Sequence, residues 1–255
     1  AATFYRAHIK TTGRGGGWPD CTGGWECDGV NACDTKYSYS TPQLLLVALA
    51  GDDTRIDAAT LQHMVDNQVR GGWSKPLGPY AGAGQWWTER HVGLRLEHLV
   101  SAYELTGSAA TRRHIADVLG WLHEHQQSPP ADDPVTGAWT HSWQAHEGAG
   151  YDPATDVRGA SPWMSANIVG ALWRAWLVTK DERIPEMLRD FGRYLDAHGF
   201  VRDEEAHRWR SRCNAGGIVG WYFSSATAPM ERLVRIQDSE GYGSDAHNPE
   251  LLMAI

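Results

Sequence analysis

The densest run of proton-transfer side chains is Trp139-Thr140-His141-Ser142-Trp143-Gln144-Ala145-His146-Glu147, with Tyr151 and Asp152 close behind. Two histidines and a tyrosine in one Gly- and Trp-bounded loop offer a base and an acid for proton transfer. A loop whose His and Trp only pack against helices would have the same composition, so clustering is what makes His141, His146 and Tyr151 catalytic candidates. A second group, Gln85-Trp86-Trp87-Thr88-Glu89-Arg90-His91, opens a helix. Helix starts favour anions, so Arg90 and His91 can bind a substrate carboxylate through charge and hydrogen bonds. Glu89 in the same run reads equally well as an acid that complements the helix dipole.

Asn167, one turn into a later helix, can hydrogen-bond the same carboxylate or serve as a cap or interhelical bond. Trp73, Tyr80, Trp86, Trp87, Trp139, Trp143 and Trp163 lie in or beside long loops, where flat rings stack on pyranose faces or wedge helices together. Asp28, Asn31 and Asp34 are spaced like oxygen donors without matching the standard calcium loop; a structural calcium is the only bound group they suggest, and no cofactor is expected. His63, His98, His114, His123, His125 and His198 fall in helical segments and read as packing or surface residues.

These residues must be positioned by helices. Laid over itself at a shift of 73 residues, the stretch Trp86 to His198 matches without a gap: Ala102-Tyr103-Glu104-Leu105-Thr106 falls on Ala175-Trp176-Leu177-Val178-Thr179. Leu96, Leu99, Ile115 and Val118 fall on Val169, Leu172, Leu188 and Phe191, so apolar spacing repeats too. Such a match predicts a repeated helical hairpin that buries its apolar face against its neighbours. One hairpin runs from Thr88 to Thr106-Gly107 and from Ser108 to the residues before Pro129-Pro130. The next runs from Trp163 to Val178 and, after a turn at Lys180-Asp181, from about Ile184 to His198. A shorter pair is expected behind the Pro42 start, and a Pro-divided helix over 216–236. Arg90-His91 fall on Trp163-Met164 in the shift, so the repeat itself does not require that polar pair.

The 255-residue chain is long enough for a full core, and its 42% hydrophobic and 21% charged fractions are ordinary, whereas 13 Trp and 28 Gly are not. A net charge of -8 argues against a general nucleic-acid binder, and no apolar run is long enough to span a bilayer, so neither partner is expected. Cys21, Cys27 and Cys33 in a Gly-rich segment, with distant Cys213, read as disulfide formers and favour a secreted or periplasmic protein. Their pairing stays open among three possibilities. The start at Ala1-Ala2, without a signal-peptide pattern, reads as a mature product or an excised piece. The expected organisation is an irregular, disulfide-stapled segment over 1–39 and a helical domain over 40–255, as part of a longer chain or alone.

Asn67-Gln68-Val69-Arg70-Gly71-Gly72-Trp73 resembles the Gln-to-Gly-Gly-Trp hairpin endings of α/α toroid enzymes, and Gly16-Gly17-Trp18-Pro19 looks like a related turn. With the hairpin repeat, the chain resembles the superfamily of polysaccharide lyases, six-hairpin glycosidases and sugar epimerases, from about residue 40 to 236. The resemblance implies an all-α, incomplete or open (α/α) toroid of antiparallel hairpins with long Trp- and Gly-rich loops on one rim. It transfers no catalytic residues. The expected activity is cleavage of a uronic-acid-containing polysaccharide by β-elimination, with His141, His146 and Tyr151 moving protons and Arg90, His91 and Asn167 holding the carboxylate. A glycoside hydrolase with paired acids drawn from Glu89, Glu147, Asp152 and Asp156, or a glycan-binding scaffold that does not cut, are the alternatives.

Overall fold

The computed structural model describes residues 44, 48, 89–127, 137–143, 157–200, 221–229 and 231–233, and 75% of these are helical. All four cysteines, the proposed calcium residues and the resembling turns at 16–19 and 67–73 lie outside them. Four long elements are α1 (Glu89–Thr106), α2 (Ala109–Gln127), α3 (Pro162–Thr179) and α4 (Arg183–Tyr194), the last ending in a wider turn over Leu195–Gly199. A short ribbon of β1 (His141–Ser142) and β2 (Arg158–Gly159) lies in sequence between the two hairpins. Leu44 and Ala48 are helical, within the helix expected behind Pro42.

The helix pattern dictates the hairpins. Ile115, Val118, Leu119 and Leu122 recur at helical spacing on α2 and all four are sealed from solvent, as are Leu96, Leu99 and Val100 on α1. Of their partners in the 73-residue shift, Leu172 and Phe191 are buried, whereas Val169 and Leu188 are half-buried. Each hairpin turn is built the same way. Gly107 and Lys180 both adopt left-handed φ, and each returns its N–H four residues back, to Tyr103 and Trp176. The preceding Thr106 and Thr179 donate their hydroxyls to the carbonyls of Ala102 and Ala175, both at 2.7 Å, and then accept the amides of Ser108 and Asp181. Ser108 caps α2 by accepting the Thr111 amide, as its sequence position predicts.

The chain divides into two compact units. In the first, described through His91–Leu119 and Ala171–Asp181, Arg174 donates to the Ser101 hydroxyl and pairs with Glu104. Arg95 and His98 are also buried there; burial lowers Arg95 to about 10 against the pull of Asp117. Trp173 and Leu177 remain exposed on α3.

The second unit holds Leu77–Arg90, Gly120–Gly170 and Glu182–Ile255, and its described parts carry the ribbon. β1 and β2 are antiparallel with His141 opposite Gly159 and Ser142 opposite Arg158, and the pairing extends to Trp143, whose amide donates to the Val157 carbonyl at 2.9 Å. Ala160 and Ser224 exchange backbone hydrogen bonds at 2.8 Å, which brings 221–225 against the ribbon. Gly159 makes that closeness possible, since a Cβ there would stand 2.1 Å from the Ser224 carbonyl oxygen. The helix expected over 216–236 is not formed at 221–229: those residues are bends around the Ser224 bridge, and among the described residues of that range only 231–233 are helical. Backbone pairing with Ala160 takes the hydrogen bonds that a helix would need. No described helix is long and apolar enough to cross a membrane.

Candidate functional site

Glu89 begins α1, where unpaired amides collect. Its carboxylate accepts its own amide and that of Ser161 at 2.8 Å, and the Ser165 hydroxyl stands beside it. Ser161 is itself the residue before α3: its carbonyl accepts the Ser165 amide, and its hydroxyl donates to the Tyr222 carbonyl at 2.8 Å. The carboxylate therefore joins the starts of two successive first helices.

His141 enters the same place from β1. Its Nδ1 lies 3.0 Å from Glu89 Oε2, with the two side chains 3% and 0% exposed. Enclosure pushes the Glu89 carboxyl well above its ordinary value, and the donors on it oppose that rise. The imidazole also meets the Phe223 ring edge-on at 5.3 Å.

Four hydrogen bonds from the end of α2 fix the approach of His141. His125 donates from Nε2 to the Thr140 carbonyl at 2.8 Å, and Trp139 donates to the Leu122 carbonyl at 3.1 Å. Gln126 donates to the Gly137 carbonyl at 2.9 Å and accepts the Gly137 amide on its own carbonyl. Gly137 has φ +102, a conformation that suits glycine.

Beside the pair, the Arg90 guanidinium lies over the Trp163 ring at 5.7 Å, and Trp163 in turn meets Tyr222 at 6.0 Å. Arg90 and Trp163 are half-buried, so this layer is partly open to solvent. A planar cation on an indole is held in one orientation, a useful property for recognising a planar carboxylate.

The expected site residues separate in a definite way. His141, Arg90 and Trp163 come to one helix start. Trp143 is buried against Tyr222 and Phe223, and Trp139 is wholly enclosed against Phe191, so both rings serve packing. Asn167 donates to the Met164 carbonyl of its own helix at 3.1 Å, a local structural bond. The backbone of His91 is helical, while its side chain, and His146, Tyr151, Trp73, Tyr80, Trp86 and Trp87, lie outside the described residues. Glu147, Asp152 and Asp156 lie outside them as well.

Ser161, Ser165, Tyr222 and Phe223 were not singled out by sequence. Ser161-Pro162 marks a helix start, but nothing local says that its amide serves a carboxylate 72 positions earlier. Among the described residues no cluster of three or more His, Cys, Asp or Glu side chains is arranged to hold a metal. Comparison of the chain with family models, with curated proteins and with solved structures finds no match in any of the three.

Proposed function

We propose that the chain is a polysaccharide lyase acting at uronic acid residues, built on a partial α/α toroid. The observation that carries the reading is the convergence of His141 and Arg90 at the start of α1, where Glu89 meets the imidazole and the next residue lies over Trp163. The matching hairpin turns at Gly107 and Lys180 support the repeat that a toroid needs.

In this reaction Arg90 neutralises the uronate carboxylate, which acidifies the neighbouring C5–H. His141 takes that proton, the C–H electron pair becomes the C4–C5 double bond, and the C4–O bond breaks. The departing oxygen takes a proton from Tyr151 or His146, which lie outside the described residues. The near-complete enclosure of His141 shields this transfer from bulk water.

A second reading follows from Glu89 itself. A carboxyl held above its usual range by burial suits the acid of a glycoside hydrolase. The products separate the two. Incubation with a panel of uronate-containing and neutral polysaccharides is expected to generate an ultraviolet-absorbing unsaturated sugar with wild-type protein, and about 100- to 10,000-fold less with His141→Ala. New reducing ends without that absorbance would favour hydrolysis, and no product from any uronate polymer would sink the lyase.

A further inference from the structure

We infer that Glu89 is the positioning residue of His141, holding the imidazole as its Nδ1–H tautomer so that Nε2 is the basic nitrogen. This rests on the lyase reading for the use made of that nitrogen, but the tautomer itself does not.

An acid placed at a helix start only to complement the dipole has no need to leave water, because the interaction survives at the surface. Glu89 is fully enclosed, although withdrawing a carboxylate from water is costly. What the enclosed group touches is specific. One oxygen accepts the Ser161 amide, and the other lies 3.0 Å from Nδ1 of a single imidazole, within ion-pair distance though not aligned as a hydrogen bond. Its own amide and the Ser165 hydroxyl add two more interactions that favour the anion.

The repeat supplies an independent argument. Glu89 falls on Pro162 in the 73-residue shift, so a hairpin of this kind starts without an acid. The acid belongs to the copy whose start meets His141. The ring is held on its other sides by the Phe223 edge contact and by the His125 bond to the preceding carbonyl, so the carboxylate meets an imidazole of fixed position.

Enclosure raises the Glu89 carboxyl, but the Glu89 and Ser161 amides, the Ser165 hydroxyl and the imidazole beside Oε2 all favour its anion; with that anion at Nδ1, the neutral ring keeps its proton on that nitrogen and presents the lone pair at Nε2. When Nε2 takes a proton, the carboxylate stabilises the resulting imidazolium. Glu89→Gln keeps the size of the side chain but replaces one oxygen by an N–H donor, which favours the opposite tautomer.

The test is nitrogen NMR of the imidazoles in the full chain without substrate, with His141 assigned through its own backbone, followed across neutral pH. Nδ1 is expected to be protonated in wild-type protein and the proton to move to Nε2 in Glu89→Gln. With a uronate polymer, Glu89→Gln is expected to lower kcat about 100- to 10,000-fold with KM within about 3-fold, and Glu89→Asp to recover part of the loss. A neutral wild-type His141 protonated at Nε2 would overturn the assignment, and this measurement needs no variant to fold. An unchanged tautomer in a folded Glu89→Gln would overturn it too. Wild-type protein that eliminates nothing would remove the lyase reading alone, leaving the tautomer to decide the role of Glu89.

Discussion

Gly107 and Lys180, at matching positions of the two hairpins, share a left-handed backbone with φ of 62° and 55°. One copy uses the residue that adopts this conformation freely, and the other places a side chain there with its ammonium over the Trp176 ring at 5.3 Å.

Substitution at these turns should therefore act in opposite directions. A Cβ at Gly107 meets nothing within 4 Å among the described residues, so Gly107→Ala is expected to cost about 1 kcal/mol through backbone strain alone. Lys180→Gly should stabilise by roughly 0.5 kcal/mol, the relief of strain exceeding the lost contact with Trp176. Urea unfolding of both variants checks this; equal and same-signed changes would contradict it.

Acid should weaken the fold through His98. Its ring donates from Nδ1 to the Leu94 carbonyl at 2.6 Å, and Nε2 is buried without a hydrogen-bond partner among the described residues. Burial lowers its pKa from 6.5, Arg174 adds to the fall, and Glu97 and the Leu94 bond oppose it. The unfolded chain thus binds a proton that the fold resists. This contribution is fully present above pH 6.5 and declines as pH falls below 6.5 toward the lowered folded value. His98→Gln should flatten the stability profile below pH 6.5, measured by urea titration at each pH. An unchanged slope would exclude His98 as its source.

Gly159→Ala should be among the most damaging conservative changes. Beyond the Ser224 oxygen at 2.1 Å, its Cβ would stand 2.8 Å from the Phe223 ring. Separation of the ribbon from 221–225 is expected to cost at least about 1–3 kcal/mol, with loss of near-ultraviolet circular dichroism from Trp221 and Tyr222. Unaltered stability would mean that the two segments are not held this closely.

Replacement of Arg90 separates charge from shape. Arg90→Lys keeps the cation but loses the planar layer on Trp163, and KM for a uronate polymer is expected to rise about 10-fold. Arg90→Ala should raise it about 100-fold, since the charge is lost as well. Steady-state kinetics on an acidic polymer and its reduced, neutral derivative would show the effect only on the former. Equal effects on both would assign Arg90 to packing.

The hairpins were legible because burial follows a local period. Leu96, Leu99, Ile115 and Val118 announce their helices and are sealed in them. The turn at Lys180-Asp181 was readable too, as the break between two apolar-periodic runs. The ribbon was not: β1 and β2 are two residues each, too short for any alternation, and they pair through backbone atoms that all sequences share. For the same reason 221–229 read as helix.

The cluster at the start of α1 was legible in part. His141 and Arg90 stood out by type and neighbourhood, whereas the meaning of Glu89 depended on a partner 52 positions away that no local pattern encodes. Trp139 and Trp143 show the converse. Tryptophans in a Gly-rich loop suggest an exposed platform, yet the four bonds from the end of α2 draw the first inward, and the aromatic layer of Tyr222 and Phe223 encloses the second.

The bond from the Trp143 amide to the Val157 carbonyl fastens both ends of 144–156 to one ladder. Because the ladder closes through backbone atoms of Trp143 and Val157, the register that holds His141 is set without any side chain of 144–156.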